Sequence, residues 1–312
     1  MSSPFISVCI PAFKRTEFLV RLMESLVIQN FRNFEVIVTD DSPSDEVMFL
    51  CEKYREKLPI HYFRNRSSLG TPENWNESMR NSKGDWIKLM HDDDWFATQN
   101  SLMEFAKAAQ ENDSAFLFSS YTNVYLDQNR EKVITPGKFR IKQLNKDPVS
   151  LLASNIIGPP SVVMHRREPA LYYEKNLKWL VDIDYYNSRL KNERAVLINK
   201  PLIKVGLSEE QVTAMCFRNP DVEIPEQFYF FQKTGVKHLK NILVYDAWWR
   251  FFRNLKVKSI HDIEKYKTGT IHPVISEILK DVNSVSEKAL QNGIISKSRM
   301  TLSYLKNRKK IQ

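Results

Sequence analysis

GDWIKLMHDDDW, residues 84–95, is the stretch on which the reading of this chain turns. A small turn at Gly84-Asp85 feeds a half-apolar run, Trp86–Met90, and the run ends in three consecutive carboxylates, Asp92, Asp93 and Asp94. Three adjacent negative charges at the end of a buried strand repel one another, so something cationic should offset them. A hard divalent ion such as Mg²⁺ or Mn²⁺, itself holding phosphate oxygens, would do so. The other reading is a solvated acidic turn that caps a helix starting near Thr98.

The segments before this stretch alternate. Phe5–Pro11 reads as a buried strand, and Glu17–Gln29 as a helix with Leu19, Leu22, Met23 and Leu26 on one face and Thr16 as its N-cap. Phe34–Asp40 is a second strand, followed by a turn and a helix capped by Ser44. Ile60–Arg64 is a third strand, and a helix near Pro72–Asn81 leads to Trp86–Met90 as the fourth. Such alternation predicts an α/β fold with a mostly parallel sheet covered on both faces. Ligands of such sheets bind outside the carboxyl ends of the strands. Pro11-Ala12-Phe13, Asp40-Asp41 and Asp92-Asp93-Asp94 each lie at such an end, so three segments should meet in one crevice. Further on, 98–112 reads as a helix, 114–127 as a strand and 128–145 as a hairpin or polar loop. Asp147–Ser154 looks helical, Ser161–His165 is a strand, Trp179–Leu190 a helix and Ala195–Gly206 two short strands. From about Pro225 the pattern is helical and basic. The expected division is 1–224, with halves meeting near residue 97, and then 225–312 as a helical extension.

Of the 312 residues 42% are hydrophobic, enough for one large domain with an appendage. Cys9, Cys51 and Cys216 are odd in number, far apart and in no metal-ligand pair, as in a reducing compartment. No signal peptide and no transmembrane helix are expected. The net charge of +9 is uneven: residues 232–312 hold 17 Lys and Arg against 6 Asp and Glu, leaving the first 231 near −2. Within the tail, Trp248, Trp249, Phe251 and Phe252 stand beside Arg250, Arg253, Lys256 and Lys258. Aromatic rings with cations suit an anionic membrane interface. A helix packing its aromatics on the rest of the chain is the competing reading, and no nucleic-acid motif accompanies the charge.

Four segments in order, ISVCIPAF (6–13), FEVIVTDDSPSD (34–45), LGTPENWN (69–76) and GDWIKLMHDDD (84–94), resemble the motifs of family 2 glycosyltransferases. The resemblance covers about residues 5–206 and implies the GT-A fold, a nucleotide-sugar-binding α/β sandwich. It implies that Pro11 and Phe13 line the base pocket. Asp41 would accept the imide N–H of uracil or thymine, and Asn74 would touch the nucleotide. Aligned from Gly84, the usual first acid of the family's DXD motif falls on His91 and the second on Asp93. That makes Asp93 the metal ligand, with Asp92 on the ribose or metal, Asp94 supporting the loop or donor sugar, and His91 packing beside them. Trp179–Tyr186 looks like the helix that carries the catalytic base, Asp182 by position, with Asp184 as a supporting acid. The family's Glu-Asp is Val181-Asp182 here, and its Arg six residues after the base is Ser188, with Arg189 next; the choice between the two acids stays open. Gly158–Ser161 falls at the acceptor floor or forms a bare turn, and Gln211-Val212-Thr213 at a segment that closes over the diphosphate.

The resemblance implies a metal-dependent inverting transferase. It would move a sugar from a UDP- or dTDP-sugar to a hydroxyl of a growing glycan. A lipid-linked acceptor on the cytoplasmic leaflet, as in capsule or lipopolysaccharide assembly, would suit the basic tail. A nucleotidyltransferase of related fold is an alternative, but Pro11-Ala-Phe-Lys-Arg-Thr lacks the Gly-rich phosphate loop it would want. A catalytically inactive scaffold in a glycan-assembly complex is another.

Overall fold

The computed structural model describes residues 3–207, 216–266 and 269–311. They form two compact units: residues 1–145, 156–176 and 188–211, and residues 146–155, 177–187 and 212–312.

The first unit is built on a nine-stranded sheet. The strands are β1 (Ile6–Ala12), β2 (Phe34–Asp40), β3 (Ile60–Arg64), β4 (Trp86–Leu89), β5 (Asp94–Phe96), β6 (Phe116–Tyr125), β7 (Arg130–Ile134), β8 (Val163–Arg166) and β9 (Ala195–Leu207). Their order is β3-β2-β1-β4-β8-β6-β9-β5, with β7 pairing β6 off this path. From β3 to β4 every pairing is parallel. Beyond β4 the sheet is mixed: β8 is antiparallel to both β4 and β6, and β9 is parallel to β6 but antiparallel to β5. Every residue of β1 and β2 is buried, as expected for parallel strands covered on both faces. Helix α1 (Thr16–Val27) packs on β5 and on α2 (Glu46–Tyr54). Helix α3 (Glu73–Arg80) packs on β1 and β2, and α4 (Ser101–Glu111) on β6 and β9.

Pro11 stands in this central strand without breaking a ladder. The last β1–β4 pair is Cys9 with Leu89, so the missing N–H of Pro11 points past the end of β4.

Several local expectations are corrected. Thr16 is the first residue of α1, and Arg15, with positive φ, takes the N-cap position. Asp45, not Ser44, precedes α2, and it makes no side-chain cap. In 128–145 the expected hairpin is present, β7 pairing antiparallel with the end of β6, but it is followed by an unexpected helix, α5 (Lys138–Lys146). The two short strands expected over 195–206 are one, β9, whose pairing with β6 slips at Ser119–Tyr121. Asp147–Ser154 is a 3-10 segment, Pro148–Ala153.

The second unit is helical: α6 (Val181–Arg189) contributes most of its length, the helices 220–234, 242–255, 273–283 and 293–307 are its longer elements, and shorter helical segments join them. Here the membrane reading of the tail aromatics fails. Trp248, Trp249, Phe251 and Phe252 lie in the unit's own core. Trp248 meets Phe228 and Phe231 edge-on, with centroids 5.2 and 5.4 Å apart, and Trp249 Nε1 donates to Ser296 Oγ at 3.1 Å. The reason is periodicity: Val244, Tyr245, Trp248, Phe251 and Phe252 recur at three- and four-residue spacing and form one apolar stripe. Arg250, beside them, donates to Ala153 O at 2.7 Å and to Asp246.

Candidate active site

The register of the parallel strands puts their carboxyl ends on one edge. Ala12 lies opposite Asp40, Asp40 opposite Arg64, and β4 ends three residues before Asp92. Residues 13–15, 41–45, 65–70 and 91–94 therefore leave the sheet together.

Asp40 belongs to the framework. It is fully buried, accepting from Tyr62 Oη at 2.7 Å and from the Ser42 N–H at 2.8 Å, and so holds the turn after β2. Asp41 is buried at the same edge, with its N–H on Ala12 O. Its carboxylate gathers the 65–70 loop: Oδ1 accepts from Asn65 Nδ2 at 2.7 Å and from the Leu69 N–H at 3.0 Å, and Oδ2 from the Gly70 N–H at 2.8 Å. Asn74 Nδ2 donates to Ala12 O and Thr39 O, and its Oδ1 accepts from Asn65 at 2.9 Å. The Asn74 amide thus ties the ends of β1 and β2 together. Asn65, which links Asp41 to Asn74, is absent from the residues singled out by sequence; its only signal is its place immediately after the third strand. Phe13 is 48% exposed at the rim with Lys14 Nζ 5.0 Å from its centroid, while Pro11 is buried.

The acidic loop is held from below. Ser161 Oγ accepts the His91 N–H at 2.9 Å, so the Gly158–Ser161 turn buttresses this loop. Asp94 Oδ1 accepts the Gly206 N–H at 3.1 Å. Gly206 is a requirement of space, because a Cβ there would stand 2.4 Å from Asp93 O. Lys88, wholly buried in β4, donates Nζ to Ser161 O and lies 5.0 Å from the Phe105 centroid. Burial pulls its pKa down to about 7, with Asp94 acting in the opposite sense. A lysine inside an apolar strand gave no sequence signal for this role.

One ligand atom each from His91, Asp93 and Asp94 falls within 4.8 Å of the others. The His91 ring packs on Trp75, tilted, with centroids 4.7 Å apart, and its Nε2 is buried without a partner. Burial takes the imidazole down to about 4, so it carries a free lone pair at neutral pH. Burial also pushes Asp92 up to about 7, against the opposing pull of Arg15, and raises Asp94 well above the usual carboxylate range, with Asp93 adding to it. Two buried acids pushed toward neutrality beside a third, and an imidazole with an unspent nitrogen, make an O/N donor set that fits Mg²⁺ or Mn²⁺. The side chain that meets these carboxylates is Arg15, ion-paired to Asp92 and, at 3.3 Å, to Asp93. Lys14 and Arg15 both have positive φ, 60° and 24°, and the Lys14 N–H bonds Ser42 Oγ at 2.7 Å. Strained backbone thus aims this guanidinium at the acids.

Asp182 and Asp184 lie in the first turn of α6, in the second unit. The helix entry is capped from afar: Glu226 accepts the N–H groups of Lys178, Trp179 and Leu180 at 2.7–2.9 Å. The two acids differ. Asp184 is buried and paired with Lys233 Nζ at 2.7 Å. Asp182 is only half-buried as a residue, but its Oδ1 is closed off from solvent with no hydrogen-bond partner, and burial pushes its pKa up to about 7. Arg189 bonds Glu168 at 2.7 Å and the carbonyls of Arg166 and Ala115. Gln211–Thr213 lies outside the described residues.

Residues 7–166, half of the chain, match the family described as Glycosyl transferase family 2. The chain belongs to that family. A glycosyltransferase of unassigned role from Haemophilus influenzae is 27% identical over 161 residues, 52% of this chain and 53% of the relative. The poly(ribitol-phosphate) beta-N-acetylglucosaminyltransferase TarS of Staphylococcus aureus is 28% identical over 114 residues, 36% of this chain and 20% of the relative. The chain thus spans about half of the first relative and a smaller part of the second. Among solved structures, residues 1–349 of S. aureus TarS with UDP-GlcNAc give a TM-score of 0.64 at 17% identity, covering 98% of this chain and 92% of that one. The mannosyltransferase PcManGT of Pyrobaculum calidifontis, with GDP-Man and Mn²⁺, gives 0.58 at 12% identity, covering 100% and 89%. At these identities the likeness shows the fold: this family 2 chain has the GT-A architecture, with a helical C-terminal region.

Proposed function

We propose that this protein is a metal-dependent, inverting glycosyltransferase. It takes a sugar from a UDP- or dTDP-sugar and passes it to a hydroxyl of a growing glycan. The observation that carries the reading is the gathering, at one sheet edge, of the Asp41-anchored loop, the His91/Asp93/Asp94 donor set and the Arg15 cation. TarS, with UDP-GlcNAc bound, makes that the first donor to test.

In this reading Phe13 and Pro11 wall the base. Asp41, already accepting three bonds, places the 65–70 loop against the base and offers its remaining lone pairs to the imide N–H. Asn74 acts through Asn65, keeping that loop in register. Asp93, with Asp94 and His91, would hold Mg²⁺ or Mn²⁺, and Asp92 would reach the ribose or the metal; bound there, the ion would supply neutralising charge for the leaving diphosphate. Arg15, relieved of the carboxylates, is left to pair with a phosphate oxygen. Asp182 Oδ1, unpartnered and poised near neutrality, takes the acceptor's proton. Asp184, neutralised by Lys233, supports the helix. The hydroxyl attacks the anomeric carbon in line as the diphosphate leaves, so no covalent enzyme intermediate forms.

Equilibrium binding of UDP should require Mn²⁺ and fail in Asp93→Ala. Binding that persists in that variant sinks the site. One observation favours the inactive-scaffold alternative: Arg15 already engages Asp92 and Asp93. A scaffold would keep that pair when Mn²⁺ is added and would hydrolyse or transfer nothing. No helix among the described residues is long and apolar enough to cross a membrane; we place the protein in the cytoplasm, at the inner face of the cell membrane, where a lipid-linked acceptor for capsule or lipopolysaccharide would be met.

A further inference from the structure

The second unit contains a cavity of about 330 Å³ that the transferase reading does not use. Its wall is cationic, with Arg218, Arg253, Lys256 and Lys258, and its floor is apolar, with Phe252, Val257 and Leu290. The one carboxylate lining it, Glu287, is taken by Lys258 at 3.1 Å. Among the described residues no carboxylate lies within ion-pair distance of Arg218, Arg253 or Lys256, so three positive charges line one volume, offset only by the longer-range pull of Glu287 on Lys256 and of Asp246 on Arg253.

These groups are held in place. Arg253 Nε donates to Asn254 Oδ1 at 3.0 Å, which fixes the guanidinium plane. Burial, then Arg250 and Arg218, push that guanidinium below its ordinary value while Asp246 pulls the other way. Asn283 Nδ2 grips Val257 O and Lys258 O and so sets the loop that closes one side. Lys256 ends the helix 242–255 in the left-handed region, φ 54°, where glycine is the usual residue, and Arg218 has φ 58°. Among the described residues, four of the five non-glycine residues with positive φ are cations. Lys14 and Arg15 stand at the site described above, and Arg218 and Lys256 stand here. Unfavourable backbone kept at clustered cations marks a site that uses them.

A second observation lies three residues beyond Gln291, which lines the cavity. Ile294, at the start of the helix 293–307, is 81% exposed, with Ile295 exposed beside it and Leu302 and Leu305 further along. Lys297 and Arg299 share this exposed stretch. Apolar side chains flanked by cations are the composition of a helix seated in a headgroup layer.

We infer that this cavity binds the phosphate ester of an anionic lipid headgroup, with Ile294 and Ile295 resting against the acyl boundary. An Arg fork and two Lys match a phosphate's oxygens and charge, and the apolar floor accepts the body that carries it. The inference is independent of the transferase reading, since the tail aromatics once assigned to the membrane are in the core and none of the residues used here belongs to the nucleotide site.

The test is flotation of the full chain with phosphatidylcholine vesicles, with and without phosphatidylglycerol, and titration with glycerol phosphate. The expected result is association only with the phosphatidylglycerol vesicles, competed by glycerol phosphate. Lys256→Gly removes a cation while relieving the left-handed backbone, so its melting temperature should hold or rise while vesicle affinity falls about tenfold, the loss of one charge-assisted hydrogen bond. Arg253→Gln should do the same, and Asp93→Asn should leave association intact. Association with neutral vesicles, or association unchanged in Lys256→Gly, overturns the proposal. So does glycerol phosphate binding without any vesicle association, which would make the cavity a site for soluble phosphate esters. If flotation holds and UDP binding fails, the transferase reading falls alone.

Discussion

Replacing Asp182 with Asn tests the chemistry of α6 before any substrate is identified. Oδ1 of this acid is closed off and unpartnered, and burial moves its pKa from the ordinary 3.8 to about 7. At 1.36 kcal/mol per pH unit, holding it charged in the folded protein costs at most about 4 kcal/mol. The folded value lies above the unfolded one. Between them the folded chain keeps a proton that the unfolded chain has released, so this group's stabilisation is complete below about pH 4, falls as pH rises, and is gone above about pH 7. Asn is neutral throughout. The stability gained by Asp182→Asn should therefore open from near zero at about pH 4 to about 2–4 kcal/mol at pH 8. Asp184, paired with Lys233, is common to both proteins and drops out of the difference. Guanidinium unfolding of the two proteins at a series of pH values measures the gap directly. Once a donor and acceptor are known, the wild-type rate should climb with pH to a plateau above about 7. The variant should lose about 10²–10⁴-fold in turnover. Stability curves that stay parallel from about pH 5 to 8.5 would show an ordinary, solvated carboxylate, and the argument for Asp182 as base would go with it.

Three further perturbations probe other parts. Arg15→Ala removes two partly exposed ion pairs worth about 0.5–1 kcal/mol each, so Mn²⁺ affinity measured by titration calorimetry should rise about five- to thirtyfold; weaker Mn²⁺ binding would mean that Arg15 supports the ion instead of competing with it. Gly206→Ala drives a Cβ to within 2.4 Å of Asp93 O; we expect about 1–3 kcal/mol of destabilisation and weaker Mn²⁺-dependent nucleotide binding, and an unshifted melt with full affinity would show the acidic loop to be slack. Trp248→Ala empties the centre of the second unit's core and should cost about 3–5 kcal/mol by chemical denaturation; a loss below about 1 kcal/mol would contradict the packing with Phe228 and Phe231.

The strands β1, β2 and β4 were legible because their burial is continuous, and with the mostly exposed β3 they fall within a residue or two of the runs that foretold them. In 128–145 the hairpin was legible and the helix was not, because Lys138–Lys146 is polar and lacks any apolar run. The triplet suggested a cation, and its neighbours supply a donor set for one. What no motif indicated is the support under it, from Lys88, Ser161 and Gly206.

The sequence by itself determined which residues could gather. Strand ends are set by local periodicity, and Asp41, Asp92, Asp93 and Asp94 follow their strands wherever those go. Only the tertiary structure decided what each carboxylate meets: Asn65 and the 69–70 amides for Asp41, Arg15 for Asp92 and Asp93, Gly206 for Asp94, Lys233 for Asp184, and nothing for the Oδ1 of Asp182. The same holds for the tail, whose aromatics carry equal hydrophobicity in a core or at a membrane. A hydrogen bond or a buried contact depends on approach to within a few ångströms by residues far apart in the chain, and spacing along the sequence does not carry that information.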